Sequence, residues 1–243
     1  MKILNKIIGE TARIAGYQIT RIPIRFGGVE KFLLSGDINV VIDIGANVGH
    51  FGLDLRKFGF KGKIYSFEPL STAYNELAAR AGKDEYGWKT FNLAIGETDT
   101  ISEINIAANS DSSSLRGMLP LHLENAPESK YIGKEKVIVK KLDSLFPELC
   151  TEEDKVWLKI DTQSYEINVL EGAGNVLQFV DFLQLEMSFV PLYDNQMLFE
   201  EMHNYLSNKG FSRISIQPAF INFVTGEILQ VDGIYQRVND KSK

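Results

Sequence analysis

A glycine-bearing turn directly follows the first strongly apolar segment of the chain. The segment VVIDI runs into DIGANVGHFG at residues 43–52, where Gly45 and Gly49 allow a sharp backbone turn and the close approach of a ligand. A helix starting here would supply free N–H donors and a partial positive charge. The spacing is not that of the dinucleotide motif GxGxxG, and Asp43 at the strand end would repel a phosphate. The turn therefore predicts a cradle for a cationic or amino-bearing ligand.

A second acidic residue stands at the end of the next predicted strand. Glu68, in the segment IYSFEP, lies 25 residues after Asp43. An acid at this place can accept hydrogen bonds from the two ribose hydroxyls of an adenosine. S-adenosylmethionine combines an adenosine, a positive sulfonium and an amino acid, and we expect it as the cofactor. The turn alone could be a tight strand-to-helix connection, and Glu68 alone a solvated side chain, but together and in this order they favour the cofactor.

The elements that must position these residues alternate between apolar runs and amphipathic segments. This alternation predicts an α/β fold with a mainly parallel sheet, helices on both faces and a closing antiparallel hairpin. The predicted strands are Val40–Ile44, Lys63–Phe67, Thr90–Ile95, Val156–Ile160, Phe182–Met187, Arg213–Gln217 and Gly233–Val238. The predicted helices are Phe51–Phe58, Ser71–Arg80, Tyr165–Leu177 and Met197–Lys209.

Residues 97–142 interrupt the alternation and form a predicted insertion. Isoleucine and valine residues near its two ends predict a pair of extra strands, and the polar segment NSDSSSLRG (Asn109–Gly117) lies between them. A polar loop of this length inside a compact domain is uncommon unless it is functional or mobile. We interpret it as a lid or substrate loop, with a disordered surface excursion as the alternative.

Composition and charge exclude several classes of protein. The chain has 243 residues, 44 % hydrophobic and 24 % charged, with a net charge of -6, which is typical of a folded globular protein and unfavourable for binding nucleic acid. Its one cysteine, Cys150, rules out an intramolecular disulfide, and three scattered histidines show no metal-ligand spacing. We expect one catalytic domain over residues 36–243, located in the cytoplasm.

The first 35 residues differ in charge from the rest of the chain. They carry six Lys or Arg and two Glu, a net charge of +4, which leaves -10 for the remainder. Apolar residues at helical spacing predict an amphipathic helix in this leader. It could lie on the inner face of a membrane through residues 1–21, or pack on its own acidic domain. No apolar run is long enough to span a membrane, and no signal peptide is recognisable.

Several further segments resemble the FkbM family of S-adenosylmethionine-dependent methyltransferases. The resemblance extends from about Val40 to Val238. It rests on DIGANVG, SFEP, NLAIG, SSSL, KKLDSL, WLKIDTQSYEINVLEGA, QLEMS and TGEILQVDGIY. One position departs from the family pattern, because Ser164 stands where the family usually has glycine. The resemblance implies a Rossmann-like class I methyltransferase fold with a seven-stranded sheet.

The resemblance also implies a reaction and a cofactor site. The reaction is methyl transfer to oxygen, typically to a hydroxyl of a sugar or of a polyketide-type natural product. The cofactor would lie against Asp43, Gly45, Asn47, Gly49 and Glu68. Asn92 and Ala94 would lie near the adenine, and Asp161 beside the methyl group.

Methyl transfer to a hydroxyl needs a group that removes the proton. Asp161 and Glu186 end two predicted strands at the sheet edge where such folds bind ligands, and Glu166 follows early in the next helix, where it could instead cap that helix. His122 in the insertion is an alternative base. Converging acids could also hold Mg²⁺, but oxygen ligands have no diagnostic spacing, and we expect no metal.

Residues following the later strands are candidates for binding the acceptor. Aromatic rings and polar groups suit the apolar face and the hydroxyls of a sugar, although Tyr165 could simply pack a helix on the sheet. The candidates are Gln163, Tyr165, Tyr193 and Asp232, the last either near the pocket or within the hairpin.

Two other functions compete with saccharide O-methylation. A methyltransferase could act on nitrogen or on a macromolecule, but the acidic body and the absence of an NPPY-type tetrapeptide disfavour RNA. A non-catalytic module could organise glycan or membrane partners through the basic leader. We expect as partner a saccharide acceptor that is free, lipid-linked or nucleotide-linked, and no nucleic acid.

Overall fold

The computed structural model describes residues 37–238, so the leader and the last five residues lie outside it. The large sheet has seven strands: β1 Val40–Ile44, β2 Lys63–Phe67, β3 Trp88–Phe91, β7 Val156–Ile160, β8 Val180–Ser188, β9 Phe211–Ile221 and β10 Ile228–Arg237. Their order across the sheet is β3-β2-β1-β7-β8-β10-β9. Strands β1 and β2, β1 and β7, β2 and β3, and β7 and β8 pair in parallel, while β10 is antiparallel to β8 and β9. The predicted parallel sheet and C-terminal hairpin are confirmed.

Helices cover both faces of this sheet. They are α1 His50–Lys57, α2 Ser71–Ala81, α3 Pro120–Asn125, α4 Leu142–Leu149, α5 Glu166–Gly172 and α6 Phe199–Asn208. All five residues of β1 are buried, as a central parallel strand requires. Its alternate side chains point to opposite faces: Ile42 packs with residues of α4, α5 and α6, and Val41 packs with residues of α1 and α2. None of the helices within residues 37–238 is long and apolar enough to cross a membrane.

The insertion forms a small second sheet. Strand β6 (Tyr131–Lys140) pairs antiparallel with β5 (Thr100–Ala107) and parallel with the short β4 (Ala94–Ile95). The predicted strand pair is present, but the single strand predicted over Thr90–Ile95 is wrong. Asn92 interrupts it, because its side-chain amide donates to the carbonyls of Glu68 and Pro69. The chain therefore leaves the large sheet after Phe91 and joins the small one at Ala94.

The helix predicted over Tyr165–Leu177 is shorter than expected. Helix α5 ends at Gly172, where a Cβ atom would lie 2.0 Å from the carbonyl oxygen of Gly96. Beyond it, the backbone N–H groups of Asn175 and Val176 donate to the Asp143 carboxylate, and a separate 3-10 turn covers Val176–Phe179. Close packing against Gly96 and a side-chain cap from Asp143 of α4 thus end the helix early.

Candidate active site

A cavity of about 310 Å³ opens at the carboxyl ends of β1, β2, β7 and β8, within the size range of small-molecule sites. Eight of the residues predicted for the site border it: Gly45, Asn47, Glu68, Ala94, Asp161, Gln163, Tyr165 and Glu186. The polar loop of the insertion contributes Ser110, Asp111, Ser113 and Leu115. Parallel strands end at one edge of a sheet, which is why residues far apart in sequence meet here.

The turn after β1 depends on glycine for close packing. Gly45 has a φ of +77°, and a Cβ atom there would lie 1.8 Å from the carbonyl oxygen of Asp161. Gly49 has a φ of +87°, but a Cβ atom there would meet Leu77 of α2 at 2.7 Å, and Gly49 is not part of the cavity wall. The first glycine therefore shapes the cavity, whereas the second allows α1 to pack on α2.

Glu68 is held in place by backbone groups. Its Oε2 accepts a hydrogen bond from the N–H of Asn47 at 2.8 Å, and its Oε1 accepts one from the N–H of Leu70 at 2.8 Å. Burial raises the pKa of Glu68 to about 7, although both N–H donors oppose that shift. A carboxylate has about four acceptor positions, so both oxygens keep the capacity to accept from ribose hydroxyls. The carboxylate and the glycine-lined turn fit the adenosine end of S-adenosylmethionine.

Asp43 is fully buried behind the cavity and does not border it. Lys159 Nζ lies 3.3 Å from Asp43 Oδ1 and 3.3 Å from Asp161 Oδ2, bridging the two carboxylates. Burial raises the pKa of Asp43 against the effect of Lys159. Burial would lower the pKa of Lys159, but the two carboxylates raise it. Asp43 was predicted to contact the cofactor, but the structure places it behind the cavity, paired with Lys159.

Asp161 and Glu186, two of the predicted acids, are bridged on the cavity wall by the side-chain amide of Gln163. Gln163 Nε2 donates to Asp161 Oδ1 at 3.1 Å and to Glu186 Oε2 at 3.2 Å. Gln230 Nε2 also donates to Glu186 Oε2, at 2.8 Å. Burial raises the pKa of Glu186 well above its usual value, and the charge of Asp161 adds to the effect. Glu186 can therefore hold a proton at the cavity surface above the usual pH range of a glutamate.

Glu166 orders the turn that carries Gln163. Its Oε1 accepts hydrogen bonds from the N–H of Thr162 at 3.0 Å and from the N–H of Ser164 at 3.1 Å. Gln163 and Ser164 have φ values of 52° and 79°, in the left-handed region that favours glycine. This explains why glycine is usual at position 164 and shows that serine adopts the same turn. Glu166 lies outside the cavity wall, and its carboxylate binds the turn before α5 instead of capping that helix.

Four other predicted site residues do not border the cavity. The side-chain amide of Asn92 donates to the backbone carbonyls of Glu68 and Pro69. Tyr193 is 1 % exposed and donates to Gln163 Oε1 at 2.8 Å. His122 is 3 % exposed with its ring 5.0 Å from that of Tyr193, and burial lowers its pKa. It is therefore badly placed to act as a base. Asp232 pairs with Glu186 across β10 and β8.

Arg116, Asp111 and Lys159 were not recognised in the sequence. Arg116 donates from Nε to the carbonyl of Ser164 at 2.7 Å and from Nη2 to Asn168 Oδ1 at 2.7 Å. Asp111 Oδ1 accepts from Asn47 Nδ2 at 2.6 Å. Only Lys159 had a local signal, since it lies two residues before Asp161 at the end of an apolar run. Within residues 37–238, no group of three or more His, Cys, Asp or Glu residues is arranged to hold a metal.

Comparison with known proteins shows the family of the chain and agrees with its fold. Residues 43–213 match the methyltransferase FkbM domain, and the chain belongs to that family. No curated protein shows significant sequence similarity to it. A candidate S-adenosylmethionine-dependent methyltransferase from Listeria monocytogenes has a similar fold, with a TM-score of 0.50 and 9 % identity over 88 % of this chain and 98 % of the other.

Two other solved structures show weaker similarity. One is a 1,6-didemethyltoxoflavin-N1-methyltransferase from Burkholderia thailandensis with bound S-adenosylhomocysteine, at a TM-score of 0.48 and 11 % identity over 87 % and 77 % of the two chains. The other is a candidate methyltransferase from Streptococcus mutans, also with bound S-adenosylhomocysteine. Its TM-score is 0.46 and its sequence identity is 9 %, over 90 % of this chain and 100 % of the other. By its family, the protein is an S-adenosylmethionine-dependent methyltransferase.

Proposed function

We propose that this enzyme methylates a hydroxyl of a saccharide, or of a glycosylated or polyketide-type natural product, during the synthesis of surface polysaccharides or natural products. The observation that carries the proposal is the Asp161–Gln163–Glu186 arrangement on the same cavity that Glu68 borders. An alcohol is a poor nucleophile and needs a base within hydrogen-bond reach. A carboxylate pair bridged by an amide supplies one.

Methyl transfer requires alignment of the acceptor and removal of its proton. S-adenosylmethionine, when bound, supplies the methyl carbon: the acceptor oxygen bonds to it while the carbon–sulfur bond breaks and its electron pair stays on sulfur. Glu186 receives the hydroxyl proton in its ionised form, and burial, which raises its pKa, makes that carboxylate a stronger base. Asp161, held between Lys159 and Gln163, aligns the hydroxyl.

The walls of the cavity support a neutral, hydroxylated acceptor. Four carboxyl groups border it, those of Glu68, Asp111, Asp161 and Glu186, and they would repel a nucleic-acid backbone. The ring of Tyr165 also borders the cavity, where it can pack on the apolar face of a sugar. These features favour a saccharide over RNA as the acceptor.

The reducing cytoplasm is the compartment we propose for this reaction. The only cysteine, Cys150, is a buried free thiol, and burial raises its pKa to about 12. A thiol in this state is a poor nucleophile, so Cys150 serves packing and takes no part in the chemistry proposed above.

Incubation of the purified enzyme with S-adenosylmethionine labelled in its methyl group tests the proposal. The acceptors would be neutral glycosides, lipid-linked saccharides, amino sugars and RNA, with the labelled atom located by NMR. We expect methyl ethers on saccharide hydroxyls. Label on nitrogen or RNA, or no transfer by an enzyme that binds the cofactor, would contradict the proposed acceptor.

Two substitutions test the roles of the acids. We expect Glu186→Gln to lower kcat by about 100-fold or more, as loss of a general base does, and Asp161→Asn to lower kcat more than it weakens cofactor binding. Glu103→Gln is a control, because Glu103 lies on β5 with its side chain 55 % exposed and bonded only loosely, at 3.7 Å, to Lys134. Unchanged turnover in both acid variants would remove them from the reaction.

A further inference from the structure

Both polar atoms of the Gln163 side-chain amide form hydrogen bonds. Its Nε2 faces the carboxylates of Asp161 and Glu186, and its Oε1 accepts a hydrogen bond from the hydroxyl of Tyr193 at 2.8 Å. A rotation of this amide by half a turn would place Oε1 against two carboxylates, which only accept hydrogen bonds when ionised. The amide orientation therefore decides whether the carboxylate pair has a shared donor.

Tyr193 is fixed in the position from which it sets that orientation. Its side chain is 1 % exposed, and its ring packs edge-on against His122 at 5.0 Å. Its backbone N–H donates to Gln196 Oε1 at 3.2 Å. The other hydrogen-bond partner of its hydroxyl is the carbonyl of Ser112, at 3.3 Å, which can only accept. Since Gln163 Oε1 is the nearer acceptor, the hydroxyl hydrogen points to the amide.

The backbone of Gln163 is restrained as well. Gln163 and Ser164 have left-handed φ values, and the insertion binds the carbonyl of each: Ser114 Oγ donates to Gln163 at 2.6 Å, and Arg116 Nε donates to Ser164 at 2.7 Å. Because the backbone is held, the side-chain amide of Gln163 can still change its orientation by rotation. The hydrogen bond from the hydroxyl of Tyr193 prevents this rotation.

We infer that Tyr193 is a positioning residue for methyl transfer, acting through the Gln163 amide to keep a hydrogen-bond donor on the Asp161 and Glu186 carboxylates. This inference rests on the proposed function, in that these two acids activate the acceptor. A hydrogen bond donated to a carboxylate favours its charged form. Without the hydroxyl, the amide samples both orientations, and the carboxylates lose their shared donor for part of the time.

The pH dependence of cofactor affinity tests this inference without an acceptor. Ionised carboxylates attract the sulfonium, so affinity rises with pH as Glu186 ionises beside Asp161, Glu166 and Asp232, and as Glu68 ionises on the opposite wall. Calorimetric titration with S-adenosylmethionine from pH 5.5 to 9 would compare the parent with Tyr193→Phe. The same titration of Glu186→Gln identifies the inflection that belongs to Glu186. We expect the Glu186 inflection to move upward in Tyr193→Phe by about half a pH unit to one pH unit. With an acceptor in hand, kcat should fall by about fivefold to tenfold.

A tyrosine elsewhere in the core provides the matched control. Tyr235 is fully buried on β10, and its hydroxyl bonds to His203 Nδ1 at 3.1 Å, away from the cavity. Tyr235→Phe removes the same atom from the same kind of residue. We expect it to leave the pH profile unmoved.

A double-substitution cycle shows whether the effect passes through the amide. Gln163→Asn shortens the side chain but tolerates the left-handed backbone, and Tyr193→Phe should change nothing further in that background. An unmoved inflection in Tyr193→Phe, or an effect that persists in the Gln163→Asn background, would overturn the inference. A moved inflection in an enzyme that methylates no saccharide would instead reject only the proposed acceptor.

Discussion

The two walls of the cavity are built in different ways. On the β1–β2 wall, Glu68 is held by backbone N–H groups, one of them only 21 residues away in the chain. On the β7–β8 wall, Gln163 is held by side chains of Tyr193 and Ser114, which are 30 and 49 residues away. Under the proposed function, the first wall binds the cofactor and the second binds the acceptor, and we refer to them as the cofactor wall and the acceptor wall.

This difference teaches how the site divides its tasks. Backbone donors are present whatever the side chains are, so the cofactor wall tolerates change around it. The acceptor wall depends on particular side chains, several of them in the insertion. The insertion also touches the cofactor wall, since Asp111 accepts from Asn47. The loop over residues 109–117 therefore joins the two walls.

The largest effect is expected at the point where the two walls touch. Gly45→Ala would place a Cβ atom 1.8 Å from the Asp161 carbonyl at a positive φ. We expect the free energy of unfolding to fall by about 3 kcal/mol or more, from backbone strain and overpacking together, as measured by urea denaturation. Gly59 also has a positive φ, +93°, but a Cβ atom there would meet no other atom within 4 Å. Gly59→Ala therefore measures the cost of backbone strain without overpacking. Equal losses in the two variants would show that the overlap with Asp161 is unimportant.

Glu68→Ala should break the cofactor wall only. Loss of two hydrogen bonds from ribose to a charged group should weaken S-adenosylmethionine binding by about 100-fold or more. Calorimetric titration with the cofactor and with S-adenosylhomocysteine measures the loss, and circular dichroism checks that the variant is folded. Affinity within threefold of the parent would remove Glu68 from the cofactor site.

Arg116→Ala should loosen the acceptor wall and spare the cofactor. Arg116 bonds to Ser164, Asn168 and the carbonyl of Asp194. Without it, we expect about tenfold faster amide hydrogen exchange over residues 109–117 and about tenfold lower turnover, since hydrogen bonds from a charged group are lost. Cofactor affinity should stay within about threefold. A larger loss of cofactor affinity than of turnover would contradict the separation of the walls.

The stability of the protein should also depend on pH. Burial raises the pKa of Glu166 to about 7 from 4.5, so the folded state binds more protons than the unfolded state between these values. Stability should therefore fall as pH rises through this window, by up to ~3 kcal/mol for this group. Glu166→Gln keeps an acceptor for Thr162 and Ser164 but cannot ionise. Urea denaturation from pH 4.5 to 8 should show a shallower fall in this variant than in the parent.

The predicted helices and strands follow from rules that act over short distances. Apolar runs and their spacing located the strands, and the end of β2 located Glu68. The prediction over Thr90–Ile95 was wrong because the side chain of Asn92 bonds across the cavity edge to Glu68 and Pro69. No local periodicity reports such a contact. The same holds for the early end of α5, which depends on packing against Gly96.

The sequence by itself determined the parallel sheet, the glycine turn, the acid at the end of β2 and the family. These features depend on residues near one another in the chain, where backbone conformation and hydrophobic periodicity leave a readable pattern. Only the tertiary structure decided that Lys159 bridges Asp43 and Asp161, that Tyr193 bonds to Gln163, and that His122 lies behind the wall. These pairings depend on which strand ends and loops meet in space, and residue type alone does not specify a distant partner.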